Sequence, residues 1–256
     1  MTPLTEKSNR VAAAIKLQRP AGRRHAARFL AEGPNLVEAA LRRGLVSEVF
    51  ATEDALVRFE QLIAGAPVHV VTDKAAKALS DTVTPVGLIA VCDIPAVALA
   101  DVLDGPTLVA VAVETSDPGN AGTLIRLADA MGADALILAG DSVDPYNPKC
   151  LRSSAGSIFG TRVLSVPDPI DLIGALRACG LQVLATTLDG ATPLPSVDLG
   201  RPTAWLFGSE AHGLSPEVAA AADAQVTIPM RGSTESLNVA AAAAICLYQS
   251  AQAQLS

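Results

Sequence analysis

Polar residues and glycines follow four strand-like apolar runs in the second half of the chain, where packing alone would not require them. The first group is Glu114–Asn120, which follows the run 108–114. Asn120 can accept the free backbone amides at the start of the next helix. Arg126 then lies inside an otherwise apolar helical pattern. Taken alone, that arginine is interpreted as a snorkelling or ion-paired surface residue.

The second group, Asn147–Gly156, has the residue types that hold a phosphate. Asn147 as cap and Pro148 at the first helical position predict a helix start. Lys149 and Arg152 fall in the first two turns, where cations oppose the helix dipole. A bound phosphate would explain this unfavourable placement, and an ordinary solvated helix start is the alternative.

The third group, Gly208–Gly213, follows the apolar run 204–208. Its glycines allow the backbone to approach a ligand closely. Glu210 can accept a hydrogen bond from a substrate hydroxyl or amine, whereas His212 is interpreted as a bystander. The sequence Ser215-Pro216-Glu217 then predicts another helix start.

The fourth group, Ile228–Val239, precedes an alanine-rich helical pattern that ordinary core packing explains. Ser236 or Asn238 can cap that helix. The connection contains more polar groups than a simple strand–helix turn requires. Since ligands of open α/β sheets bind where strands end and helices begin, all four groups are candidate site loops.

The elements that must position these loops alternate regularly along the second half. Strand-like runs cover 108–114, 135–139, 161–166, 182–187, 204–208 and 225–229, and helical patterns cover 120–131, 148–159, 169–179, 216–222 and 237–252. Strands this apolar, separated by helices, predict an α/β fold with a parallel sheet covered on both faces. No dinucleotide-binding GxGxxG and no P-loop motif is present, which disfavours both of those enzyme classes.

The first half reads as a smaller α/β unit. Within Phe29–Arg43, helical spacing follows the turn Gly33-Pro34-Asn35, with Leu36, Val37, Ala40 and Leu41 on one face. Short strands are predicted at 46–51, 68–71 and 87–92. A segment rich in proline, aspartate and glycine around 94–105 is interpreted as a linker. We therefore expect an N-terminal domain at 1–96, a linker at 97–106 and a larger domain at 107–256.

Charge is distributed unevenly along the chain. Nine Lys or Arg residues and two acids lie between Lys7 and Arg43, a local charge of +7, whereas the whole chain carries −7. This distribution favours a localised contact with a polyanion, and a solvated helix face is the alternative. Aromatic residues make up only 3% of the chain, which argues against a base-stacking platform of several aromatic side chains.

The four cysteines form no CxxC pair and lie far apart, so neither a zinc site nor a disulfide framework is indicated. We expect buried free thiols and a reducing, cytoplasmic environment. Residues 1–10 lack the apolar run of a signal peptide. The longest apolar run, Val239–Tyr248, is too short to span a bilayer, so no membrane partner is expected.

Taken in order, the loops resemble the motifs of the SpoU (TrmH) family of SPOUT methyltransferases. Asn120–Arg126 resembles the family's NxGxxxR motif, and Lys149–Gly156 resembles its KxxRxSAG segment. Leu206–Leu214 and Ile228–Val239 resemble its second and third motifs. The segment Arg28–Val37 looks like the RNA substrate-binding domain that often precedes this catalytic domain.

The resemblance implies a deep trefoil knot in the C-terminal sheet, binding of S-adenosylmethionine by the knot loops, and a homodimer with composite active sites. Knots are exceptions to ordinary chain topology. No metal is required, since the sulfonium already provides a good leaving group. Carried over by position, the cofactor-binding residues are Gly208, Ile228, Leu237, Leu206, Met230 and Gly213.

The family's methyl acceptor is a ribose 2′-hydroxyl of RNA, held near the arginine that corresponds to Arg126. Free arginine keeps its proton at ordinary pH, so orienting the hydroxyl and stabilising the developing alkoxide is the milder hypothesis, with a general base as the other. The resemblance makes Asn120, Glu210, Ser236 and Asn238 its catalytic companions. RNA contacts are expected from Arg152, Lys149, Arg23, Arg24 and Arg28.

Several functions stay open from the sequence. Ribosomal RNA is favoured over transfer RNA because the N-terminal domain resembles that of ribosomal-RNA members. A non-catalytic knotted RNA-binding protein would be expected to lose residues such as Arg126 or Asn238, and this chain keeps both. A base methyltransferase of the same superfamily, or an enzyme for a small metabolite, are further alternatives.

Overall fold

The fold is that of a computed structural model, which describes residues 2–255. The chain divides into two compact units. The first unit comprises the chain up to Ala96 together with Tyr146–Phe159, and the second comprises Val97–Pro145 and the chain from Gly160 onward. The domain boundaries expected from the sequence stay a prediction. The contact-based division differs from them chiefly because Tyr146–Phe159 returns to the first unit.

The first unit contains a four-stranded sheet in the order β1-β4-β2-β3. Strand β4 pairs antiparallel with β1 and β2, whereas β2 and β3 are parallel. Helices on both faces complete the unit. Numbered along the chain, its elements are α1 (Asn9–Ile15), α2 (Pro20–Ala26), β1 (Arg28–Glu32), α3 (Pro34–Arg42), β2 (Val46–Ala51), α4 (Glu53–Arg58), β3 (Val68–Val70), α5 (Asp73–Leu79), β4 (Leu88–Asp93) and, in the returning segment, α8 (Pro148–Ser154).

The helix predicted after the turn Gly33-Pro34-Asn35 is confirmed, whereas the strand before that turn was not predicted. Residues 28–32 form β1, and the helix α3 begins only at Pro34. Gly33 separates the two elements with a φ of 88°, a conformation that suits glycine. Phe29, Leu30 and Ala31 are consecutive buried residues, because this strand is covered on both faces. Such a run has no period-two alternation to distinguish it from a helix.

The returning segment Tyr146–Phe159 packs on the first unit through aromatic rings and one polar bond. The ring of Phe29 lies 4.9 Å from that of Tyr146 and 6.1 Å from that of Phe159, measured between centroids. Arg43 Nε donates to the Phe159 carbonyl at 2.6 Å. The predicted helix start at Asn147 and Pro148 is confirmed. However, α8 ends at the left-handed Ala155, so the predicted helix to 159 was too long.

The second unit contains a seven-stranded parallel sheet in the order β7-β6-β5-β10-β8-β11-β9. The α/β class and the six predicted strands are confirmed, whereas the two-residue β9 was not predicted. The elements are α6 (Leu99–Val102), β5 (Leu108–Val113), α7 (Pro118–Ala130), β6 (Ala135–Ala139), β7 (Arg162–Val166), α9 (Pro169–Ala178), β8 (Gln182–Thr186), β9 (Thr192–Pro193), β10 (Thr203–Phe207), α10 (Pro216–Ala221), β11 (Ala224–Thr227) and α11 (Val239–Gln254).

The core of the second unit lies on both faces of this sheet. On one face, Val111 and Leu206 pack with Leu176 of α9. On the other, the fully buried Trp205 donates from Nε1 to Ser250 Oγ of α11 at 2.9 Å. Successive side chains of a strand point to opposite faces, so β10 anchors both layers. The trefoil knot implied by the family resemblance stays a prediction.

The cysteines are free thiols, as the sequence predicted. Cys92, Cys150 and Cys246 are buried, and Cys179 is half-buried. Burial raises the pKa of the Cys92 and Cys246 thiols to about 12, so neither ionises near neutral pH. Between residues 2 and 255, no helix is long and apolar enough to cross a bilayer, and no three metal-ligating side chains lie together.

Candidate functional site

The carboxyl ends of β5, β10, β8 and β11 meet at one edge of the second unit's sheet, because these strands are parallel neighbours. Three of the four polar groups singled out in the sequence follow β5, β10 and β11 and therefore gather at this edge. The fourth group, around Lys149 and Arg152, belongs to the first unit.

A chain of side-chain hydrogen bonds joins these three loops. Asn120 Nδ2 donates to Glu210 Oε1. Asn238 Nδ2 donates to Asn120 Oδ1 at 3.4 Å, while Asn238 Oδ1 accepts the amide of Ala240 at 2.8 Å and caps α11. Side-chain hydrogen bonds thus connect one residue from each of the three motifs. The predicted capping role of Asn238 is confirmed.

The predicted capping role of Asn120 was wrong. Helix α7 begins at Pro118, and its cap is Asp117, whose Oδ1 accepts the amide of Asn120 at 2.9 Å. Asn120 is therefore a first-turn residue whose side chain is free to bond Glu210 and Asn238. The pair Asp117-Pro118 carries the same cap-and-proline signal as Asn147-Pro148, so the sequence contained the information needed to assign it.

The loop after β10 is folded tightly on itself. Ser209 and Gly213 exchange backbone hydrogen bonds of 3.2 and 2.9 Å. A Cβ added at Gly208 would lie 2.2 Å from the carbonyl carbon of Gly213 and 2.3 Å from the nitrogen of Leu214. Backbone atoms cannot yield as a flexible side chain can. Glycine is therefore required at 208 for close packing of this loop, whereas at Gly213 it suits a φ of 67°.

A cleft of about 660 Å³ opens between the loops that follow β8, β10 and β11. Five of the six residues predicted to bind the cofactor line it, and so do the predicted catalytic residues Glu210 and Ser236. The five are Gly208, Gly213, Ile228, Met230 and Leu237. The sixth, Leu206, does not suit that role, because its side chain is 1% exposed and packs in the sheet core.

The loop after β8 contributes cleft residues that the sequence reasoning missed. Thr186, Thr187, Leu188 and Asp189 all line the cleft. The Thr187 hydroxyl is buried and has no hydrogen-bond partner among residues 2–255. These residues carry no motif. The only available signal was their position at the carboxyl end of a predicted parallel strand next to the other two loops.

Arg126 lies on α7, outside the cleft. Its side chain is exposed and makes no hydrogen bond or ion pair with any residue in the described range 2–255. The structure therefore does not bring Arg126 into contact with Asn120, Glu210 or Asn238 within one chain. An exposed guanidinium without a partner among residues 2–255 keeps its donors for another molecule.

The residues predicted to contact RNA lie in the first unit. They differ in how exposed their side chains are and in whether those side chains already have a partner. Arg24 is exposed. Arg28 pairs with Asp93 at 2.8 Å, and Arg152 pairs with Asp81 at 3.1 Å. Lys149 donates its backbone amide to the cap Asn147. Arg23 is only 1% exposed and donates from Nη1 to the carbonyls of helix-turn residues, so the RNA contact predicted for it does not suit its position.

Comparison with known families and structures agrees with this arrangement. The model of the SpoU rRNA methylase family matches residues 107–248. The model of the MRM3-like substrate-binding domain matches residues 8–90. These two matches fall on the stretches that the sequence resemblance assigned to catalysis and to RNA binding.

Individual relatives extend the comparison over most of the chain. The 23S rRNA (guanosine(2553)-2′-O)-methyltransferase RlmP of Bacillus subtilis is 35% identical over 86% of this chain and 87% of its own length. The 23S rRNA (uridine(2479)-2′-O)-methyltransferase of Streptomyces viridochromogenes is 41% identical over 55% of this chain and 51% of its own.

A solved structure gives the same result in three dimensions. The SpoU methyltransferase AviRb of Streptomyces viridochromogenes, in complex with the cofactor AdoMet, aligns with a TM-score of 0.87 and 30% identity, covering 98% of this chain and 99% of that one. The chain therefore shares its fold with a protein solved in complex with that cofactor. The chain belongs to the SpoU rRNA methylase family.

Proposed function

We propose that this protein transfers a methyl group from S-adenosylmethionine to a ribose 2′-hydroxyl of ribosomal RNA. The observation that carries the proposal is the hydrogen-bonded chain Glu210–Asn120–Asn238, which ties the three family motifs together beside the cleft. The printed functions of the relatives, methylation of guanosine or uridine riboses in 23S rRNA, support the same acceptor.

The residues that line the cleft suit S-adenosylmethionine in their chemistry. Leu188, Met230 and Leu237 are partly exposed apolar side chains in its wall, as an adenine ring requires. The unpartnered Thr187 hydroxyl offers a hydrogen bond, and the carboxylate of Asp189 suits hydroxyls or an ammonium group. Gly208 allows the loop after β10 to pack closely on Gly213 and Leu214, and this loop forms one wall of the cleft.

When bound, the cofactor supplies a methyl group on a sulfonium, whose sulfur departs as a neutral thioether when the ribose oxygen attacks the methyl carbon. The work left to the chain is to align the hydroxyl and to manage its proton and developing charge. We assign the charge-stabilising role to Arg126, whose exposed guanidinium has no partner among residues 2–255. Glu210, held by Asn120, and Ser236 accept or donate hydrogen bonds to the acceptor nucleotide.

Asn120→Ala is expected to lower kcat/KM for methyl transfer about tenfold, with cofactor affinity changed less than threefold. The variant removes a hydrogen bond to a carboxylate, which contributes about 1.5 kcal/mol at a half-exposed position. Asn120→Asp should be at least as slow, because two carboxylates would then face each other. Steady-state rates and calorimetric titration of S-adenosylmethionine measure both. Unchanged kcat/KM in both variants would contradict the role given to this chain of bonds.

We further propose that the active protein is a cytoplasmic homodimer. Arg126 lies outside the cleft of its own chain, so a second subunit is the natural source of a complete site. Helix α11 carries Ile245 and Tyr248, which are 37% and 51% exposed, beside the buried Cys246 and Leu247. Exposed apolar side chains next to a buried helix face favour an isologous contact. Sedimentation of the purified chain tests the stoichiometry.

The proposed function is tested by incubating the protein with unmodified 23S rRNA and S-adenosylmethionine bearing an isotopically labelled methyl group. Digestion to nucleosides followed by mass spectrometry then shows which nucleoside carries the label. We expect a 2′-O-methylnucleoside. Label on a base, or no label despite cofactor binding, would favour a base methyltransferase or a non-catalytic RNA-binding protein instead.

A further inference from the structure

The basic segment Lys7–Arg43 of the first unit contains cations with very different partners. Three arginines form ion pairs with acids, and two donate to backbone carbonyls. The ion pairs are Arg10 with Glu48, Arg28 with Asp93 and Arg42 with Glu38. The carbonyl-bonded pair is Arg23, which bonds Leu17 and Gln18, and Arg43, which bonds Phe159. The local excess of positive charge therefore overstates how many cations are available.

Three of the remaining cations lie close together in the chain. Lys16, Arg19 and Arg24 fall within nine residues, and no acid occurs between Lys7 and Glu32. All three side chains are exposed, and none makes a hydrogen bond or ion pair with any residue described between 2 and 255. We call the stretch Lys16–His25 the basic turn.

The backbone of the basic turn is fixed by a buried arginine and by close packing at a glycine. Arg23 is buried, and its Nη1 donates to the carbonyls of Leu17 and Gln18 at 2.9 Å each. A Cβ on Gly22 would lie 2.0 Å from the carbonyl oxygen of Lys16, so α2 packs in close contact with the backbone at the start of the basic turn. A rigid backbone lowers the entropic cost of placing its cations against a ligand.

We infer that the basic turn is the surface through which the first unit grips the sugar–phosphate backbone of its RNA, with Lys16, Arg19 and Arg24 as the phosphate contacts and Arg23 as a positioning residue. This inference rests on the proposed function, since it presumes an RNA substrate. Unpaired, exposed cations on a fixed backbone are the groups that release counterions when they neutralise phosphates.

The chemistry of the basic turn favours the backbone of a folded RNA over two other anionic surfaces. It presents no Phe, Tyr or Trp on which an unpaired base could stack. It also lacks a large exposed hydrophobic side chain that could insert into a lipid surface. Contacts to phosphates without contacts to bases imply an affinity that depends on the shape of the RNA and on salt concentration, and not on the RNA sequence.

The inference is tested with a triple variant that carries Lys16→Gln, Arg19→Gln and Arg24→Gln. The matched control carries Arg10→Gln, Arg42→Gln and Lys74→Gln, which remove the same charge from cations that already have acidic partners, Lys74 pairing with Glu6. The probe is a fluorescent RNA stem-loop with a stem of about 16 base pairs. Its dissociation constant is measured across a series of salt concentrations.

We expect the triple variant to bind at least about tenfold more weakly at low salt, with the slope of log K against log [salt] reduced by about 2 to 3. The control should keep most of the wild-type slope. Equal slopes for wild type and triple variant, an equal loss in the control, or no binding of the stem-loop by wild type would each overturn the inference.

Failure of the inference and failure of the proposed function can be told apart. Cofactor binding and methyl transfer to intact 23S rRNA are measured on the same preparations. If the wild-type protein methylates rRNA but the triple variant keeps the wild-type salt slope, only the role of the basic turn is refuted. Tighter binding of the wild type to vesicles rich in anionic lipid than to the stem-loop would also overturn it, in favour of a membrane surface.

Discussion

Replacing Arg126 by alanine is expected to lower kcat for methyl transfer by about 100- to 1,000-fold and to leave the affinity for S-adenosylmethionine unchanged. The guanidinium is exposed, unpaired among the described residues and outside the cleft, so its loss should not disturb the fold or the cofactor. A positioned cation that stabilises developing negative charge acts mainly in the transition state. Single-turnover rates and calorimetric titration separate the two effects.

A matched control is Arg162→Ala, which removes another exposed arginine of the second unit, on the edge strand β7 and away from the site edge. It should keep near wild-type kcat. Arg126→Lys should recover only part of the rate, because an ammonium is a point charge without the planar fork of a guanidinium. Near-normal methyl transfer by Arg126→Ala would refute both the alkoxide-stabilising and the general-base roles.

The second large effect is expected from Gly208→Ala, which should weaken cofactor binding by about 5- to 150-fold. Its Cβ would lie 2.2 and 2.3 Å from backbone atoms of Gly213 and Leu214, so the loop after β10 must shift. Forcing an extra methyl group into closely packed surroundings costs about 1–3 kcal/mol, and here the cost falls on a wall of the cleft. Calorimetric titration measures the change.

Gly174→Ala is the control for this substitution, because a Cβ there meets nothing within 4 Å and the residue lies within α9. It should bind the cofactor normally and unfold at the same temperature or slightly higher, since alanine favours helices. Gly208→Ala should keep a cooperative thermal transition. Wild-type cofactor affinity in Gly208→Ala would show that this loop does not shape the pocket.

The parallel sheet was predictable because its strands are buried on both faces. Runs such as Leu108–Val113 and Ala135–Ala139 are apolar throughout, which requires covering layers on each side. The strand at Phe29–Ala31 was not predicted, because a strand covered on both faces lacks the period-two alternation that identifies a strand. The turn Gly33-Pro34-Asn35 located the start of the following helix, but the strand before it is defined by its pairing with β4.

The return of Tyr146–Phe159 to the first unit was also beyond local reasoning. It depends on ring contacts to Phe29, more than a hundred residues earlier in the chain. Arg152, which was expected to hold a phosphate of the RNA, pairs with Asp81 of the same unit. The charge count along the sequence likewise identified a basic segment but could not show which of its cations were already paired.

The candidate site was recovered mainly through motifs rather than elementary physics. The catalytic roles of Asn120, Glu210 and Asn238 came from family resemblance, and only the structure joins these residues by hydrogen bonds. Thr187 and Asp189 had no motif, although they follow a strand whose neighbours carry one. Residues that line a pocket chiefly through position leave little trace in one sequence, because many side chains fit such a role.

Mapping 2′-O-methyl positions in total RNA from cells with and without this protein tests its proposed activity most directly. We predict that a single ribose in 23S rRNA loses its methyl group when the protein is absent. Expression of the wild-type chain should restore it, whereas Arg126→Ala should not. An unchanged map of 2′-O-methyl groups, or a loss confined to base methylation, would contradict the account.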